Sequence, residues 1–106
     1  MDDSNFNLSI NESPRLVLVK FDADWSGPCH IIEPIIEELA YEYNSQVTFF
    51  KIDVDENLSI KNEYGISKVP TLLFFRGGEI LDHVEGAVPK RIITDKLTKL
   101  LDKRNS

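Results

Sequence analysis

Cysteine is the scarcest chemistry in this chain, which carries a single one, Cys29, in 106 residues. One cysteine closes no internal disulfide, so a disulfide-stapled scaffold is excluded, as is a zinc site built on several thiolates. Basic charge is also short: 12 Lys and Arg stand against 18 Asp and Glu, for a net charge of −6 and a pI of about 4.8. With no basic stripe to release counterions from phosphate, nucleic acid is not an expected partner. No apolar run approaches the roughly 20 residues of a membrane helix, and the acidic start Met1-Asp2-Asp3-Ser4 has no apolar signal region. The expectation is no membrane and a cytoplasmic location. What is present is ordinary for a soluble globular protein: 42% hydrophobic and 28% charged residues. The length suits one domain over 1–106 with a real core.

The chain reads as strands alternating with helices. Ser4–Asn11 places Phe6, Leu8 and Ile10 at every second position, as a strand would, while Ser4 suits a helix cap. The Ser13-Pro14 break favours a short helix there, within an N-terminal segment 1–13. In Arg15–Asp22, the run Leu16 to Val19 is apolar on both faces, as in a central strand covered on two sides. Near its end Lys20 and Asp22 fall on one face, and Val19, Phe21 and Ala23 on the other. A helix is expected from about Pro28 to Tyr43, with Ile32, Ile35, Ile36, Leu39, Ala40 and Tyr43 as its stripe. Glu33, Glu37, Glu38 and Glu42 lie opposite, and Pro34 should kink the helix near its start.

Val47–Val54 is a second strand, with Val47, Phe49, Lys51 and Asp53 on one face, and Asn57–Glu63 a short helix. Leu72–Phe75 is a third strand, turning tightly through Arg76-Gly77-Gly78-Glu79 into an antiparallel return strand, Ile80–Glu85. Pro89 opens a last helix on Ile92, Ile93, Leu97, Leu100 and Leu101, and residues 102–106 are expected to fray. Two strand–helix–strand crossovers and a hairpin predict an α/β fold. Its mixed sheet has a mostly parallel core plus an antiparallel hairpin, with helices on both faces.

Asp24-Trp25-Ser26-Gly27-Pro28-Cys29-His30 joins the first strand to the long helix. Helix N-termini offer unpaired N–H groups and a positive dipole end, where thiolates are stabilised. Cys29 lies a turn before Ile32, so it should face the protein body, while Ser26 should be more exposed and cap the helix. A serine hydroxyl is no nucleophile without a base, and neither histidine is placed as one. His30 points around the helix and His83 lies on the last strand. The helix terminus and Lys20 would lower the Cys29 pKa and burial would raise it, so a reactive thiol and an inert, half-buried one both stand.

The element order resembles the thioredoxin family over about Pro14 to Leu101. The resemblance is carried by Trp25-Ser26-Gly27-Pro28-Cys29, Pro34, Lys51-x-Asp53-x-Asp55, Tyr64-Gly65-Ile66, Val69-Pro70-Thr71, Phe75-Arg76-Gly77-Gly78-Glu79 and Gly86. It implies a thioredoxin-like fold, here with the N-terminal strand short or absent. It also implies a cis peptide bond at Pro70 and a Val69 backbone that pairs with an extended substrate peptide. The family attacks a disulfide with the first cysteine of Cys-Gly-Pro-Cys and resolves the product with the second. Three positions depart from that pattern: Ser26 stands at the attacking sulfur, Lys20 at a buried acid and Asp22 at an aromatic residue.

The implied function is cell redox homeostasis through protein thiols or disulfides. Cys29 is the candidate catalytic thiol and Ser26 sits at the nucleophile's position, within an active loop of Trp25, Gly27, Pro28 and His30. Trp25, Val69, Pro70, Thr71 and Gly86 would form the substrate groove, although Trp25 could instead pack on the loop. If the first two strands are neighbours, Lys20, Asp22, Lys51 and Asp53 share a face near Cys29. They then form either an ion-pair network that compensates the burial of Lys20 or a solvated strand end. Expected partners are a protein bound as an extended peptide and a partner thiol or glutathione; no cofactor and no metal are expected. With one cysteine, no second thiol can release a mixed disulfide in cis, so the dithiol cycle should not run. The alternatives are a non-catalytic peptide-binding module that uses the Pro70 groove, and a Cys-to-Ser variant of an ordinary thioredoxin. One serine would not account for Lys20 and Asp22.

Overall fold

A computed structural model describes residues 14–103. Their order is β1 (Leu16–Asp22), α1 (Gly27–Glu42), β2 (Val47–Asp53), α2 (Leu58–Glu63), β3 (Thr71–Arg76), β4 (Glu79–Glu85) and α3 (Lys90–Lys103). The expected helix or strand at Ser4–Asn11 lies outside the described residues, as does the question of an N-terminal strand. The strands form one sheet in the order β2-β1-β3-β4. The result is the mixed α/β architecture of a thioredoxin-like fold.

β1 takes a central place because both its faces are apolar, and all seven of its residues are buried. Val17, Val19 and Phe21 join Ile52, Ile60, Leu73 and Phe75 in one core layer, to which α2 contributes Ile60. Leu16 and Leu18 join Ile32, Leu39, Phe74, Ile93 and Leu97 in the other, under α1 and α3. Each fully buried Leu, Ile or Phe stabilises by about 1.5–3 kcal/mol, so the two layers fix the sheet between the helices. The alternation then delivers Lys20 and Asp22 to the α1 face, at the end of the strand.

At about 1.5 Å per residue, the 16 residues of α1 span the length of a seven-residue strand, and β2 returns parallel to β1. The six residues of α2 cover only about 9 Å, so this helix does not span the sheet as α1 does. β3 starts at the end of the sheet where β2 stops and runs antiparallel to β1. The mixed sheet is as expected. Its parallel part, however, is the single pair β1–β2 among the described strands, since β3 runs antiparallel to β1 and β4 antiparallel to β3. The same geometry sets Pro70 and Thr71 beside the ends of β1 and β2.

Helix α1 continues through the exposed Pro34 to Glu42. The β3–β4 turn uses Gly77 and Gly78 at φ of 59° and 82°, the left-handed pair that a two-residue hairpin requires. α3 is helical through Lys103, the last described residue. The Arg76 guanidinium donates to the Leu100 carbonyl at 3.0 Å and satisfies an acceptor of the closing turns. Lys96 pairs with Asp82 at 2.9 Å, fixing α3 to β4, and Lys90 reaches Glu38 and Glu42, fixing α3 to α1.

Candidate active site

Where β1 ends, the chain turns through Ala23–Trp25 and enters α1. Ser26 is the N-cap, in extended backbone at φ −90° and ψ 115°, and its Oγ accepts from the Cys29 N–H at 3.2 Å. Gly27 and Pro28 form the exposed first turn, with Pro28 where a missing N–H costs nothing. Ser26, expected to be exposed, is as buried as its partner. It is 3% exposed, because the loop before β3 closes over it and its hydroxyl donates to the Val69 carbonyl at 3.4 Å. Cys29 faces inward as expected, at 2% exposure.

Around this pair, the Val69–Pro70 peptide bond is cis. The Gly86 N–H, at φ 87°, donates to the Pro70 carbonyl at 2.8 Å, and Thr71 is buried with its hydroxyl on the Lys68 carbonyl at 2.5 Å. Trp25 is 71% exposed, and its indole N–H donates to Asp55 Oδ2 at 2.8 Å. It is thus held against the loop after β2 while its ring stays open to a partner. The exposed His30 ring bonds the Asp24 carbonyl at 2.7 Å, and His83 sits exposed on β4. Neither is a base for Ser26.

Beneath Cys29 lies a cluster of charge. Lys20, 1% exposed, donates to the Cys29 carbonyl at 3.3 Å, meets Asp22 Oδ2 at 3.3 Å and pairs closely with Glu33 Oε2. Lys51 reaches the same two carboxylates, each at 3.3 Å. The expected grouping of Lys20, Asp22 and Lys51 is therefore present, but Asp53 stands outside it. Although Asp53 pairs in register with Asp22, its Oδ1 accepts the Asp55 N–H at 2.9 Å and so serves the turn after β2. Glu33 fills the fourth corner. Sequence reasoning had placed it on the outer face of α1, yet it lies one turn after Cys29 on the same side of the helix, and that i+4 spacing was the available signal.

The ionisation states follow from these contacts. Burial would push the Asp22 carboxyl up, but the Cys29 thiol as donor, the Lys20 charge and hydrogen bonds from Lys20 and Lys51 hold it below its ordinary range. Burial likewise opposes ionisation of Glu33, and Lys20 and then Lys51 outweigh it. For Cys29 burial wins: it pushes the thiol above its ordinary value near 9.0, Asp22 adds to the push, and the Ser26 hydroxyl and Ala23 backbone pull down without prevailing. The resting sulfur is a thiol, despite its place at a helix N-terminus.

Among the described residues, no group of three or more His, Cys, Asp and Glu is placed to hold a metal ion, and no helix is long and apolar enough to cross a membrane. A single thiol at the start of a helix, reached from a central strand and set beside a cis-proline, defines a thiol-redox α/β protein. Comparison with known proteins agrees. The thioredoxin family model matches residues 1–99. A thioredoxin of Chlorobaculum thiosulfatiphilum is 43% identical over 95 residues, covering 90% of this chain and 88% of that protein. Thioredoxin 1 of Synechococcus elongatus is 42% identical over 99 residues, covering 93% and 92%. The chloroplastic M-type thioredoxin of Spinacia oleracea is 42% identical over 101 residues, covering 95% of this chain and 56% of that one. The chain belongs to the thioredoxin family and is a thioredoxin-like redox protein.

Proposed function

We propose that this protein serves cell redox homeostasis in the cytoplasm by engaging protein thiols or disulfides through Cys29 alone, without running the dithiol reductase cycle. The observation that carries this is Ser26. Its Oγ, bonded to the Cys29 N–H and the Val69 carbonyl, stands where the family resemblance expects the attacking sulfur, and the chain has no second cysteine. In the forward step the Cys29 thiolate displaces one sulfur of a partner disulfide. A Cys29–partner disulfide forms, the partner's S–S bond breaks, and its other sulfur leaves as a thiolate that takes up the proton. Release then requires an external thiol such as glutathione. With Cys29 2% exposed, exchange is slow and proceeds only as the Ser26–Pro28 turn opens. The partner lies extended along Val69, Pro70 and Thr71, flanked by Trp25 and Gly86, and its main-chain pairing needs no sulfur.

The test uses a peptide whose one cysteine is activated as a nitrothiobenzoate disulfide. The folded protein should release one equivalent of nitrothiobenzoate and hold a protein–peptide adduct until glutathione is added. The Ser26→Cys variant, run in parallel, should shed the peptide without glutathione and, supplied with dithiothreitol as reductant, turn over a protein disulfide. If the folded chain forms no adduct but labels fully on unfolding, Cys29 is structural. The high exposure of Trp25 (71%) supports what then remains, a peptide-binding module that uses the Pro70 groove.

A further inference from the structure

We propose that a cleft beside the Pro70 loop is a subsite for an arginine side chain of the protein partner. This rests on the partner lying extended along Val69, Pro70 and Thr71. The cleft holds about 210 Å³ and lies on the α2 face of the sheet. Helix α2, six residues long, adds one buried side chain to that face, Ile60, and the face stays open over β3 and β4 among the described residues. Directly opposed residues of an antiparallel pair share a face. Leu73 opposes His83 and Thr71 opposes Glu85, so the ladder sets His83 and Glu85 on the side where Leu73 joins the core. Ile66 and Leu73 are buried and form the floor, while Ile80, His83 and Glu85 stay exposed around it. Tyr64 completes the lining, with its ring held edge-on to Phe75 at 5.7 Å.

Size, charge and position choose the occupant. A drug-sized molecule needs about 300 Å³ or more, so this cleft suits a single long side chain. Its floor is apolar, and Glu85 forms no ion pair among the described residues. An unpaired acid above an apolar floor is complementary to a cation carried on an apolar stem. Arginine fits better than lysine, because its planar fork meets a carboxylate with two hydrogen bonds and stacks on aromatic rings, here Tyr64 and His83. Position ties the cleft to the partner. Thr71 lines both the cleft and the groove, and Glu85 immediately precedes Gly86. Thr71 is also two residues from Val69, about 7 Å of extended chain. The arginine therefore belongs two to four residues from the partner's reacting cysteine.

N-acetylargininamide is titrated into the 15N-labelled chain in its native form and as Glu85→Gln and Glu79→Gln. Glu79 is an exposed acid at the start of the same strand, outside the cleft, so its variant removes the same charge elsewhere. In the native chain the amide shifts of Leu73, His83 and Glu85 should move to saturation. Glu85→Gln should raise the Kd about fivefold, the upper end for an exposed ion pair, and Glu79→Gln should leave it unchanged. Unmoved cleft amides, equal weakening in the two variants, or equal shifts from neutral N-acetylglutaminamide overturn the site. The partner's share is read with an extended peptide that carries serine for the reacting cysteine, and arginine or glutamine two, three or four residues to either side. At one of those positions arginine should bind about fivefold tighter, with the preference lost in Glu85→Gln; no preference at any position overturns the subsite. Failure of every peptide to shift Val69 and Thr71 sinks the groove reading instead, and the N-acetylargininamide titration still judges the cleft.

Discussion

Replacing Lys20 by Met tests whether the buried cluster holds the site to the sheet. The side chain keeps its length and apolar stem and loses only its charge, so packing changes little. Three contacts go: those to Asp22 and Glu33, and the hydrogen bond to the Cys29 carbonyl. Removing one partner of a buried ion pair costs about 3–5 kcal/mol, because the other charge stays behind. Lys51 still reaches both carboxylates at 3.3 Å, although its side chain is 58% exposed and its charge better screened. The expected loss is therefore at the low end, about 3 kcal/mol, or about 12–24 °C in Tm for a domain of this size. Urea unfolding followed by far-UV circular dichroism at pH 7 measures it, with the slope unchanged.

A second arm fixes the electrostatic origin of that loss. In the native chain Asp22 and Glu33 are held below their ordinary values of 3.8 and 4.5. Their contribution is fully present above those values and disappears as pH falls through the lower folded-state ones. Without Lys20, burial regains weight, the carboxyls protonate more readily, and the variant has less to lose on acidification. The stability gap between native and variant should shrink as pH falls below about 4.5. A gap under about 1 kcal/mol at pH 7, the size of an exposed pair, or a gap that widens in acid, would refute the reasoning.

Other expectations are smaller. Ser26→Ala removes the α1 cap and should cost about 1 kcal/mol, seen as a lower urea midpoint. Gly77→Ala, at φ 59° with open space around the new methyl, should cost about 1–2 kcal/mol from backbone strain alone. Gly77→Asn should recover part of that loss, since Asn tolerates the left-handed region; thermal melts of both variants decide.

Much of this site was legible because period-two alternation is strict. Once β1 is central, Lys20 and Asp22 must share a face, and a parallel β2 must set Lys51 beside Lys20. Capping by Ser26 and the inward turn of Cys29 followed from helix phase. The exposure of Ser26 did not, because the covering group is Val69, 43 positions away, and helix phase carries no information about distant loops. Glu33 was misplaced for a related reason. A glutamate at the border of an apolar stripe looks solvent-facing until a buried ammonium is set beneath it.

The cluster also explains why the departures at Lys20 and Asp22 belong together. A lone lysine at a position 1% exposed would be far too costly to keep charged. Here its charge is met by acids from two elements, Asp22 on the same strand and Glu33 on the helix above, while Lys51 from β2 balances the second acid. The ammonium also takes the Cys29 carbonyl, within the first turn of α1. Sheet, helix start and thiol are therefore joined through one neutral group of charges. A change that unbalances the group must alter how firmly α1 sits on the sheet, and a change at Asp22, which pushes the thiol up, must also alter how readily Cys29 gives up its proton. Stability and thiol ionisation should accordingly move together in variants of Asp22, and separately in variants of the Pro70 groove.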